Sequence, residues 1–144
     1  MNQNRPVDKT LDKVIETHTP GELERLFENH FLYDHPLYSL MAEPTEIPWM
    51  QFIPKINTDD AQAVGELYGE IHSVAFYLQR HFPERYGHFN VAKIGNKCPY
   101  YHIHLVFRTE RDEAWPNPIW CQEPLSQNPK SVKQLQEDLR DFFV

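Results

Sequence analysis

The run Tyr100-Tyr101-His102-Ile103-His104-Leu105-Val106-Phe107-Arg108 constrains this chain more than any other stretch. It alternates and is rich in aromatic and aliphatic residues, the pattern of a β-strand with one face in a core. Residues two apart on a strand project to the same side. His102 and His104 therefore stand together with Tyr100 and Val106, while Tyr101, Ile103, Leu105 and Phe107 face the core. Two neighbouring imidazoles beside a Gly95-Asn96 turn form a device for holding an anion or a metal. Glycine admits backbone conformations closed to other residues, and N–H groups exposed in such turns make anion-binding concavities. Phosphate chemistry is the first reading.

The rest of the chain reads as an α+β arrangement. Leu11, Val14 and Ile15 have the spacing of a short helix. Thr19-Pro20-Gly21-Glu22 looks like a helix start, with a hydroxyl cap, proline in the first turn and an acid near the positive end. Tyr38–Ala42 and Trp49–Ile53 read as two strands joined by a proline-bearing loop. The long helix runs from Asp59 to about His81, capped by Thr58. Ala61, Val64, Leu67, Tyr68, Ile71, Val74, Ala75 and Leu78 form its apolar face. His72 and His81 fall on or near it as surface or structural residues. Phe89–Ile94 reads as the strand before the Gly95–Pro99 turn. Ser131 caps a final helix carrying Val132, Leu135, Leu139 and Phe142. The order β-β-α-β-β-α favours an antiparallel sheet over a parallel doubly wound one.

A chain of 144 residues suits one domain. Its net charge of −7 opposes general nucleic-acid binding, which needs a basic face to displace counterions. It leaves room for a local pocket for one nucleotide. Cys98 and Cys121 are too few for a disulfide framework and read as thiols of a cytoplasmic protein. No stretch approaches a membrane span, and no apolar signal-peptide core leads the chain.

Residues Asn90 through Val106, with Ala114-Trp115-Pro116-Asn117-Pro118-Ile119-Trp120, resemble the histidine-triad family of nucleotide hydrolases and transferases. The likeness is to a bacterial branch with a Gly-Asn turn, a His-x-His strand and a Trp-Pro-x-Pro-x-Trp segment. It extends back through Pro48-Trp49-Met50-Gln51-Phe52-Ile53-Pro54, covering about 35–122 of a single domain over 1–144. An N-terminal helical extension (1–34) and a C-terminal helix (about 131–143) lie outside it. The resemblance implies an antiparallel sheet of about five strands, packed with one long helix and one or more short ones, and a homodimer.

The family pattern is His-x-His-x-His followed by two apolar residues. Aligned on that tail, Tyr100 takes the first histidine position, His102 the nucleophile's and His104 the last. The resemblance implies attack of His102 on the α-phosphorus of a dinucleoside polyphosphate or nucleoside phosphoramidate, with His104 donating to phosphate oxygens. It also implies roles for Asn90 on the ribose–phosphate side and for Gly95 and Asn96 in the phosphate turn. An imidazole is substantially neutral at cellular pH and needs no strong activating base. A carbonyl accepting its Nδ1–H would leave Nε2 free to attack. No metal or other cofactor is called for.

Two positions depart from the pattern: Tyr100, which bears on substrate preference, and Lys97, which stands where relatives carry a serine. An ammonium at 97 would neutralise a polyphosphate leaving group, or would be a solvated loop lysine. Trp115 and Trp120 shape the pocket or a dimer contact, or pack structurally. The run Glu110-Arg111-Asp112-Glu113 reads as a solvated loop. The alternatives are a nucleotide-binding regulatory protein without turnover, and a zinc-binding domain built on Cys98, His102, His104 and Cys121.

Overall fold

The computed structural model describes residues 11–144. Helix α1 (Pro20–Phe27) is followed by strands β1 (His30–Asp34), β2 (Tyr38–Glu43) and β3 (Trp49–Pro54). The long helix α2 (Ala61–His81) leads to β4 (His88–Lys93) and β5 (Ile103–Arg108). A single 3-10 turn (Ile119–Cys121) and helix α3 (Lys130–Asp138) complete the chain. The five strands form one antiparallel sheet in the order β1-β2-β3-β5-β4. This is an α+β fold, and it places the histidine strand between two neighbours.

The alternation along β5 divides the molecule. Ile103, Leu105 and Phe107 point into the main core, against Leu67, Ile71, Val74, Ala75 and Leu78 of α2. Leu135 and Leu139, from the C-terminal end of the chain, join that core. The opposite face carries two separate apolar clusters. Ile15, Leu23, Met41 and Ile53 gather under α1, and Ile47, Val106, Ala114 and Ile119 gather under the Trp-Pro segment. Between these clusters the sheet presents its histidines.

Several local expectations are corrected. No helix forms around Leu11–Ile15; Lys13 instead makes a parallel bridge with Tyr100. The hydroxyl of Thr19 makes no capping bond, although Pro20 does open α1. The cap of α2 is Asp60 rather than Thr58, its carboxylate accepting from the N–H of Gln62 and Ala63 at 3.0 and 3.4 Å. Ser131 lies inside α3, and its buried Oγ has no partner among the described residues. The Asn128 side chain accepts the N–H of Lys130 instead. Strand β1 carries no clear strand signal in the sequence. Its residues read His30-Phe31-Leu32-Tyr33-Asp34, with polar ends and a bulge between Phe31 and Tyr33 that breaks the alternation.

Candidate active site

His104 sits on β5, next to the edge strand of the sheet, paired across the ladders with Gln51 on β3 and Ala92 on β4. His102 lies one residue before β5 begins. Both are buried, and their ring centroids are 4.6 Å apart with planes at 77°. The first apolar cluster sends one aromatic ring to the pair and the second sends two, Trp120 and Trp49, the latter 5.7 Å from His104. Phe27 from α1 meets His102 edge-on at 5.5 Å, and Trp120 meets His104 at 4.9 Å.

The hydrogen bonds assign the two rings opposite tautomers. His102 Nδ1–H donates to the Tyr100 carbonyl at 2.7 Å, because a carbonyl can only accept. Its Nε2 is left with a lone pair. Trp49 Nε1–H donates to His104 Nδ1 at 2.9 Å, because an indole nitrogen can only donate. The neutral His104 ring therefore carries its proton on Nε2. One imidazole presents a nucleophilic lone pair and its neighbour a donor.

Both rings are held neutral. Burial lowers the His102 pKa; the Tyr100 carbonyl opposes the shift, Lys93 adds to it and Asp12 opposes it. Burial, reinforced by the neighbouring His102, lowers His104 to about 3 against the pull of the Ile94 carbonyl. Two buried imidazoles in contact cannot readily both take a proton.

The remaining candidates separate into those on this face and those at its edge. Asn90 pairs with Val106 and so shares the histidine face. Its Oδ1 accepts from Arg108 Nη1 at 3.2 Å, which turns its amide donors away from that contact. Gly95 lies where a Cβ would come within 3.3 Å of the Asp12 carboxylate. No described glycine has a positive φ, so close approach rather than a left-handed turn accounts for Gly95. Asn96 is exposed. Lys97 has a side chain 89% exposed and pairs loosely with Glu123 at 3.7 Å, as a solvated loop lysine does. The Tyr100 ring packs against Phe27 at 6.1 Å and joins the cluster under α1. Among the described residues, no three His, Cys, Asp or Glu side chains come together to hold a metal ion, so Cys98 and Cys121 do not complete a zinc site.

Three supports were not read from the sequence. Trp49 is the first, its indole reaching diagonally across the ladder to His104; cross-strand register was the missing signal. The second is the buried pair Arg108–Asp112, at 2.8 and 3.0 Å, in what had looked like a solvated acidic run. Burial pushes the Asp112 carboxyl up, but Arg108 and the N–H groups of Thr109 and Ala114 more than offset this and hold it low. Arg108 also donates to the Asn117 carbonyl at 2.8 Å, so it ties the Trp-Pro segment to β5. Asp112→Ala should therefore cost about 3 kcal/mol or more, by leaving a buried guanidinium without its counter-charge; urea unfolding measures it.

The third support is a chain of polar side chains on the histidine face. Gln51, opposite His104, donates to Glu43 at 3.1 Å and accepts from Asn29. Burial pushes Glu43 up to about 7, against the hydrogen bonds from Gln51 and Asn29. Beyond Trp49 and Trp120, Glu43 borders a cleft of about 500 Å³ that also includes Gln122, Glu123 and Leu125.

Comparison with solved structures bears directly on this arrangement. A histidine triad protein from Bradyrhizobium japonicum superposes with a TM-score of 0.69 at 27% identity, over 83% of this chain and 95% of that one. The chain has the fold of the histidine-triad proteins. A histidine triad protein from Marinobacter aquaeolei (TM-score 0.70, 22% identity, 83% and 93% covered) has the same fold. So does one from Sinorhizobium meliloti (0.64, 21%, 81% and 94%). No protein-family model and no curated protein matches the chain. The covered share is larger than the 35–122 core expected from motifs, so the histidine-triad likeness reaches into at least one of the terminal segments. Among the described residues, no helix is long and apolar enough to cross a membrane.

Proposed function

We propose that this protein hydrolyses nucleoside phosphoramidates, or related compounds activated at the α-phosphate, through a nucleotidyl-histidine formed on His102. The observation that carries this reading is the pair of opposed tautomers. His102 Nε2 attacks the α-phosphorus, the bond to the leaving group breaks, and a leaving amine departs with a proton taken from solvent, which the water of the second step returns. Water then attacks the same phosphorus, releasing nucleoside monophosphate and restoring His102. Splitting one displacement into two lowers the barrier of each. The Nε2–H of His104 donates to a phosphoryl oxygen as charge develops there, and the amide of Asn90 lies on the same face.

The cleft beyond His104 favours an amine leaving group over a polyphosphate. Glu43 and Glu123 border it, and among the described residues no lysine or arginine does. A trailing polyphosphate would meet like charge there. Lys97 is too exposed to compensate, so Lys97→Ala should change KM by less than about threefold, as for most exposed charges. Steady-state kinetics measures this.

A second copy of the chain belongs to the same proposal. Strand β4 closes the sheet with an edge that is unpaired among the described residues, and Phe76, 54% exposed on α2, packs on its Phe89. An open edge beside exposed aromatics suits pairing with another β4. A cytoplasmic location accords with two free thiols.

The test is product analysis by chromatography, with chelator present. Adenosine and guanosine phosphoramidates and the matching dinucleoside polyphosphates are the substrates. Release of nucleoside monophosphate, faster from the phosphoramidates, is the expected result. Nucleotide binding without release from any of them would favour the regulatory alternative.

A further inference from the structure

The orientation of His102 depends on the carbonyl of Tyr100, and neither neighbouring strand holds that carbonyl. The ladders from β3 to β5 and from β4 to β5 both stop at Ile103. What grips this stretch is Lys13. Its N–H donates to the Pro99 carbonyl at 2.8 Å, and its carbonyl accepts the Tyr101 N–H at 2.9 Å. A single residue thus holds the main chain on both sides of Tyr100.

Residues around Lys13 are themselves anchored at three points. Ile15 is buried with Leu23, Met41 and Ile53, and the ring of Tyr100 packs on this same cluster. Ser39 donates to His18 Nδ1 at 2.8 Å while His18 Nε2–H donates to the Ile15 carbonyl at 3.0 Å. Asp12, at a left-handed φ of 59°, pairs with Lys93 on β4 at 2.5 Å. Asp12 and Lys93 act on the His102 charge in opposite senses, Asp12 raising its pKa and Lys93 lowering it.

We propose that residues 11–18 form a strap that positions His102, with the main chain of Lys13 clamping the peptides that flank the Tyr100 carbonyl. This rests on the reading of His102 as nucleophile. The strap touches no substrate; it acts through the Tyr100 carbonyl, which selects the tautomer that leaves Nε2 unprotonated. The Lys13 residue is exposed, so the role belongs to its backbone and tolerates changes of side chain.

Lys13→Pro removes the N–H that holds Pro99, whereas Lys13→Ala keeps it. The readouts are the imidazole nitrogen shifts of His102 by NMR, and kcat and KM measured separately. Lys13→Pro should move His102 from one tautomer to a mixture. It should lower kcat by about tenfold or more with little change in KM, the scale at which losing an orienting partner of a histidine is felt. Lys13→Ala should match the wild type in both. Ile15→Ala, which loosens the strap without touching the clamp, should shift the tautomer in the same direction by less. It carries the test if Lys13→Pro does not fold. An unchanged His102 tautomer in a folded Lys13→Pro protein, or in Ile15→Ala where that variant must serve, would overturn the proposal; so would equal losses in Lys13→Ala and Lys13→Pro. The NMR arm needs no turnover, so failure of the nucleophile reading and failure of the strap are told apart.

Discussion

Replacing His102 with alanine is expected to lower turnover by about 10⁴-fold or more, because the variant keeps the binding face but has no atom to form the covalent intermediate. Rapidly quenched wild-type protein should gain the mass of one nucleotidyl group, and the variant should gain none. Folding should survive, since the ring lies at the margin of the sheet and gives up one hydrogen bond, a loss of about 1 kcal/mol. Turnover that persists in His102→Ala would remove the mechanism. Retained nucleotide affinity in the variant would separate lost chemistry from lost binding.

The second large effect is a cancellation that single substitutions should expose. His104 has a folded pKa of about 3 against 6.5 for the free side chain, so between those values the unfolded chain binds more protons. Its contribution is fully present above about pH 6.5 and is lost as pH falls toward 3. Glu43 has a folded pKa of about 7 against 4.5, so there the folded chain binds more. Its contribution is fully present below 4.5 and is lost as pH rises through 7. Across pH 4.5–6.5 the two slopes oppose each other, each worth about 1.4 kcal/mol per pH unit at most. The lowered pKa values of His102 and His18 add to the His104 side.

Wild-type stability from urea unfolding should therefore vary little, or fall gently, as the pH drops through this window. Glu43→Gln should steepen the fall by up to about 1.4 kcal/mol per unit and stabilise the protein at pH 8. His104→Gln should remove most of the fall or reverse it. Parallel pH profiles for all three proteins would mean that neither group is perturbed as its burial requires.

The elements legible in the sequence are those whose signal is local. Eight alternating residues announced β5, and the 3.6-residue period announced α2. His102 and His104 were visible as a pair because a strand puts alternate residues on one face. What stayed hidden depends on partners remote in sequence. Trp49 is 55 residues from His104, and nothing in Pro48-Trp49-Met50 signals that the indole will reach an imidazole. Asp112 looked like one of several solvated acids because burial is decided by where Arg108 ends on β5. The cap of α2 fell at Asp60 rather than Thr58 because three successive residues there all suit the role. Lys13 grips the chain with main-chain atoms alone, which leave no trace in residue type.

The enclosure of the histidines by indoles also equips the protein with its own optical reporter. All three tryptophans lie on the side of the sheet that carries the site: Trp49 bonded to His104, Trp120 edge-on to the same ring, and Trp115 over the Arg108 guanidinium at 5.7 Å. Indole emission responds to the charge and polarity of its immediate surroundings. Occupancy of the cleft, or a proton arriving on His104, therefore registers in intrinsic fluorescence, and ligand titrations need no added label.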